Sequence, residues 1–161
     1  MSNNPENSNV KISKLKKILV PLDGSDNSKR ALIEAISLAK ISDAKITGIY
    51  VISSEQGMGS FVDALKPLST LEEENYAGKQ LSEANGIMGE AKNVCKKYPV
   101  EFNGIAANGI PGNKIIQYAQ DNDFDHIVIG ISGKGHIGEV LLGSVSDYVI
   151  HHANVPVTIV K

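Results

Sequence analysis

The stretch Lys17-Ile-Leu-Val-Pro-Leu-Asp23 is a short apolar run that ends at a turn signal, Asp-Gly-Ser. An apolar run of this length before a turn is typical of a buried strand. Apolar residues then recur at helical spacing over residues 26–41, and residues 45–52 form a second apolar run. This opening third therefore predicts a strand, a helix and another strand in succession.

The same alternation continues along the rest of the chain. Residues 71–98 carry apolar side chains three and four apart, which predicts an amphipathic helix; these are Ala77, Leu81, Ala84, Met88, Ala91 and Val94. Further strands are predicted at 100–107, 126–131 and 155–160, with a turn at Gly109-Ile-Pro-Gly112 before the third helix and a last helix over 144–152. Strands that alternate with helices predict a doubly wound, Rossmann-like α/β fold with a five-stranded parallel sheet.

Length and composition predict one domain and argue against nucleic acid and membranes as partners. The chain has 161 residues and a net charge of −2, so we expect no binding to nucleic acid or to a membrane surface. Residues 1–15 are polar and predict a flexible leader before a domain at 16–161, and residues 53–70 predict a long loop. The leader lacks the apolar core of a secretory signal, and Cys95 is the single cysteine, so we expect a cytoplasmic protein.

The alternation also predicts where a ligand would bind. In open parallel sheets, ligands bind at the carboxyl ends of the strands where the strand order reverses. Residues 130–144, Gly-Ile-Ser-Gly-Lys-Gly-His-Ile-Gly-Glu-Val-Leu-Leu-Gly-Ser, follow the predicted fourth strand and lead into a helix. Glycines let backbone N–H groups approach a phosphate, and a helix N-terminus favours negative charge. This stretch therefore predicts a phosphate-binding loop.

Two better-known phosphate motifs do not describe this loop. The Walker A pattern is absent from the sequence. Residues 133–138 match Gly-x-Gly-x-x-Gly, but a dinucleotide site needs that pattern after the first strand, with an acidic residue about 20 positions further on. Here that position falls near Thr158, so we reject a dinucleotide site.

The spacing Gly-x2-Gly-x9-Gly-Ser, from Gly130 to Ser144, resembles the nucleotide-binding signature of the ATP-binding branch of the universal stress protein family. The resemblance extends to the opening strand and helix at 17–35, to Gly109-Ile-Pro, and to the closing Asn154-Val-Pro-Val-Thr-Ile-Val. It covers about residues 16–161. This chain departs from many relatives at Ser132, where they carry His or Arg, and at the extra Gly135, which leaves the number of phosphate contacts open.

The resemblance implies a set of residues around an adenine nucleotide, either ATP or a relative such as AMP. It places adenine and ribose at the ends of the first two strands, and the sugar and phosphates in the loop and at the last helix. The implied residues are Pro21, Leu22, Asp23 and Val51, then Gly130, Ile131, Ser132, Gly133, Lys134, Gly135 and His136, and finally Gly143, Ser144, Val145 and Ser146. Asp23 is also the candidate to contact a Mg²⁺ carried by the nucleotide.

The resemblance further implies a strand order of 3-2-1-4-5 and a homodimer formed through the strand at 155–160. It implies a role in stress response or regulation, exerted through nucleotide-dependent contacts with a protein partner that the sequence does not name. Two alternatives remain: a slow Mg²⁺-dependent ATP hydrolase, for which we assign no catalytic residue, and an interaction module that works without nucleotide.

Several of these residues also have a purely structural interpretation. Asp23 is also explained as a turn and helix-start residue, and Lys134 and His136 as members of a solvated loop. His151 and His152 fit a helix C-terminus better than a metal site, because positive charge there complements the helix dipole. Cys95 is expected to be a small apolar residue of its helix.

Overall fold

A computed structural model describes residues 14–53, 70–132 and 142–161, with the backbone alone for residues 70–77. In chain order its elements are β1 (Lys17–Pro21), α1 (Asp26–Ser42), β2 (Lys45–Ser53), α2 (Thr70–Cys95), β3 (Phe102–Gly109), α3 (Pro111–Asp121), β4 (His126–Gly130), α4 (Ser144–His152) and β5 (Val157–Val160). The strands form one sheet in the order β3-β2-β1-β4-β5, and all four pairings are parallel. The predicted fold class and strand order are confirmed.

Local sequence explains where the helices begin and end. Helix α1 begins after Ser25, whose hydroxyl oxygen accepts a hydrogen bond from the backbone N–H of Ser28 at 3.2 Å. It ends at Ser42, and the residue after it, Asp43, takes a left-handed conformation with φ of 59°. Helix α3 begins at Pro111, inside the predicted turn, because proline suits the first helical position, where no intrahelical N–H bond is needed.

Two hydrophobic layers cover the sheet, one on each face. Alternate residues of β1 enter different layers: Ile18 and Val20 pack with α1 and α2, while Leu19 packs with α3 and α4. All three are fully buried. Burial on both faces explains why the central strands are continuous apolar runs rather than alternating ones.

The structure corrects some details of the sequence prediction. Leu81 was expected on the buried face of α2, but it is 49% exposed, and the buried residues of the described part of this helix are Ala84, Ala91 and Cys95. Strand β3 extends to Gly109, which has φ of 148°. Strand β5 begins only at Val157, two residues after the predicted start of the strand.

Candidate functional site

A cavity of about 510 Å³ lies at the carboxyl ends of β1, β2 and β4. The chain crosses from β1 to β2 on one side and places β4 on the other, so the strand order reverses at this point. The cavity is lined by Pro21, Leu22, Asp23, Ser28, Tyr50, Val51, Ser53, Glu83, Pro111, Ile115, Ile129, Gly130, Ser132, Gly143, Ser144, Val145 and Ser146. This is the position where doubly wound sheets bind their ligands.

The end of β1 brings the first three predicted residues, Pro21, Leu22 and Asp23, to the cavity. Leu22 is buried, and its backbone N–H donates to the carbonyl of Ile49 in β2 at 2.9 Å. The Asp23 carboxylate accepts from the N–H of Ser25 at 3.0 Å, which forms a tight turn over Gly24. Asp23 therefore serves the turn before α1 and lines the cavity at the same time.

The end of β4 is fixed on both sides. The N–H of Ile131 donates to the carbonyl of Val160 in β5 at 2.7 Å. The carbonyl of Ile131 accepts from the N–H of Gly143 at 2.8 Å and from the Ser146 hydroxyl at 2.6 Å. Ile131 itself is buried and is not among the described residues that line the cavity. Its backbone carbonyl therefore links the start of the glycine-rich segment to Gly143 at the other end.

The first turn of α4 faces the cavity. Gly143 precedes the helix and has no side chain with which to cap it. In any helix the first N–H groups have no intrahelical acceptor, and here they belong to Ser144, Val145 and Ser146. These groups, together with the helix dipole, form a positive end suited to an anion.

Ser146 has a structural role that the sequence did not reveal. Its side chain is 2% exposed, and its hydroxyl lies 2.6 Å from the carbonyl oxygen of Ile131 and 2.9 Å from that of Gly143. Because a hydroxyl has one proton, these carbonyls occupy its donor capacity. We therefore expect any ligand contact of Ser146 to come from its backbone N–H.

The remaining predicted residues divide into two groups. Val51, near the end of β2, lines the cavity from the layer of α3 and α4. Gly133, Lys134, Gly135 and His136 lie outside the described residues. The prediction that they wrap sugar and phosphates therefore stays a prediction.

Sequence reasoning missed several residues that line the cavity, chiefly Tyr50, Ser53 and Glu83. Glu83 lies on α2, within the layer of α1 and α2, whereas the first turn of α4 belongs to the opposite layer. Glu83 and the first turn of α4 therefore line the cavity from opposite sides of the sheet. No local signal in the sequence marks Glu83, because neighbouring residues of a helix do not share a face and the burial of Ala84 therefore does not show where Glu83 lies.

Burial shifts the pKa values of Cys95 and His126, two described residues that lie away from this cavity. Burial raises the pKa of the Cys95 thiol to about 11, so this thiol stays protonated near neutral pH. Burial also lowers the pKa of His126 from its usual 6.5. Neither residue lines the cavity, and the apolar role expected for Cys95 fits its position in the core.

His151 and His152 each place Nδ1 2.8 Å from a carbonyl oxygen one turn earlier in α4, those of Asp147 and Tyr148. These contacts agree with the helix-terminal interpretation. Within residues 14–53, 70–132 and 142–161, no group of three or more His, Cys, Asp or Glu side chains is placed to hold a metal ion. None of the helices in that part of the chain combines the length and apolar character of a membrane span.

Comparison with known proteins shows which family this chain belongs to. The family model described as the universal stress protein family matches residues 14–161. The chain belongs to the universal stress protein family. A universal stress protein of Methanocaldococcus jannaschii is 33% identical over 147 residues, which cover 91% of this chain and 82% of the relative.

Solved structures of universal stress proteins share the fold. One from Lactobacillus plantarum superimposes with a TM-score of 0.77 at 24% identity, and the match covers 93% of this chain and all of that one. A universal stress protein in complex with cAMP superimposes with a TM-score of 0.63 at 25% identity, covering 92% of this chain and 98% of the other.

Proposed function

We propose that this universal stress protein binds an adenine nucleotide, ATP or a close relative such as AMP, in the cavity at the ends of β1, β2 and β4. The observation that carries the proposal is the first turn of α4, whose residues Ser144–Ser146 line a cavity large enough for a small ligand and whose first N–H groups have no intrahelical acceptor. The related structure that holds cAMP supports an adenine nucleotide as the ligand.

The two sides of the cavity give the nucleotide a preferred direction. Phosphates carry negative charge and favour the helix N-terminus of α4. The wall formed by Pro21 and Val51 is apolar and suits the base instead. The proposed orientation therefore places phosphates at Ser144–Ser146 and the nucleoside beside Pro21 and Val51.

Magnesium fits this arrangement as a companion of the nucleotide. Mg²⁺ is commonly held by one or two carboxylates together with phosphate oxygens and water. Asp23 supplies one such carboxylate at the cavity wall. In the proposed complex, Asp23 would help hold a Mg²⁺ that arrives with the phosphates.

Titration calorimetry with ATP tests the binding proposal. Wild-type protein is expected to bind, and Gly133→Val is expected to bind much more weakly, because a side chain would occupy space that the backbone needs near phosphate. Mass spectrometry of ligand released from protein purified without added nucleotide identifies which relative of ATP the protein carries. Unchanged ATP affinity in Gly133→Val would refute the assigned loop.

Binding, rather than turnover, is the proposed activity. Phosphoryl transfer depends on positioned charge, metal and a group that orients the attacking nucleophile. A phosphate-release assay on the pure protein with Mg²⁺ distinguishes the two. Rapid release that is lost in Asp23→Ala would favour the hydrolase alternative.

We further propose that the protein acts as a homodimer in the cytoplasm and regulates a protein partner according to the bound nucleotide. Strand β5 is an edge of the described sheet, and its four residues are only partly buried. Edge strands have a row of backbone groups that a second strand can pair with.

Light scattering is expected to give twice the chain mass of 17.2 kDa. Thr158→Pro should shift the mass towards the monomer, because it removes a backbone donor from the edge.

A further inference from the structure

Asn27, in the first turn of α1, reaches across to the start of the glycine-rich segment. Its side-chain Nδ2 donates to both the backbone carbonyl and the hydroxyl oxygen of Ser132, each at 2.9 Å. Ser132 is 7% exposed and lines the cavity, while Asn27 is not among the described residues that line it. Any effect of Asn27 on a ligand must therefore act through Ser132.

The orientation of the Asn27 amide is fixed by Arg30. The guanidinium Nη2 of Arg30 donates to Oδ1 of Asn27, and its Nε donates to the backbone oxygen of Lys161 at 2.9 Å. Since a guanidinium only donates, it selects the oxygen end of the amide and turns the nitrogen end towards Ser132. Arg30 thus decides which group of Asn27 meets the loop.

The backbone of Asn27 is also held close to β4. A Cβ atom added to Gly130 would lie 2.7 Å from the carbonyl carbon of Asn27, a contact that real Cβ atoms do not make. The first turn of α1 therefore lies directly against the end of β4, and the Asn27 side chain continues this contact two residues further, at Ser132.

We propose that Asn27 is a positioning residue for the phosphate-binding half of the cavity, and that Arg30 orients it. The inference rests on the proposed nucleotide-binding function. The carbonyl of Ile131 already joins the two ends of the segment through Gly143. The hydrogen bonds from Asn27 add a second restraint at Ser132, one residue after Ile131. The nucleoside half, at Pro21 and Val51, lies on β1 and β2, and these strands contain neither Asn27 nor Ser132.

The experiment compares the dissociation constants of ATP and adenosine for wild type and Asn27→Ala. ATP uses both halves of the cavity and adenosine only the nucleoside half. We expect Asn27→Ala to weaken ATP binding by about tenfold, the scale of a lost pair of hydrogen bonds, and to change adenosine binding by less than about twofold. Asn122→Ala is the matched control, because Nδ2 of Asn122 also donates to a backbone carbonyl, that of Tyr118, far from the cavity.

Arg30→Ala is the second variant, and it keeps the test valid if Asn27→Ala fails to fold. Arg30 is exposed, so its removal leaves the core intact. It should weaken ATP binding by a few-fold and leave adenosine binding unchanged. Lys29→Ala is its control for lost charge, since Lys29 is also exposed and pairs with Glu90 at 3.0 Å. Lys29→Ala should weaken ATP less than Arg30→Ala does.

The outcomes separate this inference from the function on which it rests. Equal weakening of ATP and adenosine in Asn27→Ala would show a general structural role and overturn the positioning role. Unchanged ATP binding would overturn it as well. Wild-type protein that binds neither ligand would instead refute the proposed function itself, and this inference with it.

Discussion

Gly130 lies where the end of β4 passes closest to the first turn of α1. The resemblance explained this glycine by an approach to phosphate, but the structure adds a reason that needs no ligand. A Cβ atom here would lie 2.7 Å from the carbonyl carbon and 2.9 Å from the carbonyl oxygen of Asn27. Backbone atoms cannot rotate out of the way as the end of a side chain can. Gly130 is therefore required by packing whether or not a nucleotide is bound.

We expect Gly130→Ala to destabilise the fold by about 1–3 kcal/mol, the usual cost of inserting atoms into a well-packed region. Urea denaturation followed by circular dichroism measures this change. Gly143→Ala is the graded comparison, since its Cβ would lie 3.1 Å from Cα of Ser132 and needs a smaller shift. A Gly130→Ala protein as stable as wild type would show that α1 moves freely at this contact.

His126, at the start of β4, gives the protein a predictable response to acid. It is half-buried, its Nε2 lies 2.8 Å from the hydroxyl oxygen of Thr158, and burial lowers its pKa below 6.5. The unfolded chain therefore binds a proton more readily than the folded chain does. Stability is fully present above the unfolded pKa and falls as the pH drops from 6.5 towards the lowered folded value.

We expect the free energy of unfolding to fall between about pH 7.5 and about pH 5.5, and to fall less in His126→Gln. Glutamine does not titrate and can still form a hydrogen bond with Thr158. Urea denaturation at the two pH values, for both proteins, makes the comparison. An equal loss of stability in both would mean that other groups cause the acid sensitivity.

Helix α2 contains several small residues and interior glycines. Its described buried face consists of the small residues Ala84, Ala91 and Cys95. Its glycines at 78, 86 and 89 would meet no heavy atom within 4 Å if they carried a Cβ atom. Glycine in a helix interior costs about 1 kcal/mol relative to alanine. These three glycines therefore lower the stability of α2 without any packing reason in the described structure.

We expect Gly86→Ala and Gly89→Ala each to stabilise the protein, by up to about 1 kcal/mol, because alanine loses less backbone entropy on folding. Thermal unfolding followed at 222 nm, the ordinary helix signal, measures the shift. Gly112→Ala in α3 is the opposite control, since its Cβ would lie 2.6 Å from the ring of Tyr148. If all three variants behaved alike, local packing would not be the cause.

At this scale the sequence predicted most of the elements but not their contacts. The continuous apolar runs of β1 and β4 were readable because both faces of these strands are buried. The exposure of Leu81 was not, since the apolar spacing of α2 does not reveal which positions meet the sheet. The bond from Asn27 to Ser132 joins residues 105 positions apart and depends on how α1 lies against β4. No local pattern encodes such a contact.

For the whole molecule, the arrangement of layers brings residues from both faces of the sheet to the cavity that we propose binds the nucleotide. The layer of α1 and α2 brings Glu83, and the layer of α3 and α4 brings the N-terminal turn of α4. The sequence predicted the second contribution through Gly143 and Ser144. It did not predict the first, because the position of Glu83 depends on how α2 packs against β2 and β3.

An NMR titration of ¹⁵N-labelled protein with ATP locates the proposed binding site, since it reports every backbone amide at once. We predict that ATP, added up to about 1 mM, shifts the amides of Ser144, Val145 and Ser146 most strongly, followed by those near Gly130 and Val51. Amides at the far end of α2, near Cys95, should not move. If no amide shifted, or if the shifts clustered away from the carboxyl ends of β1 and β4, the protein would not bind ATP in this cavity.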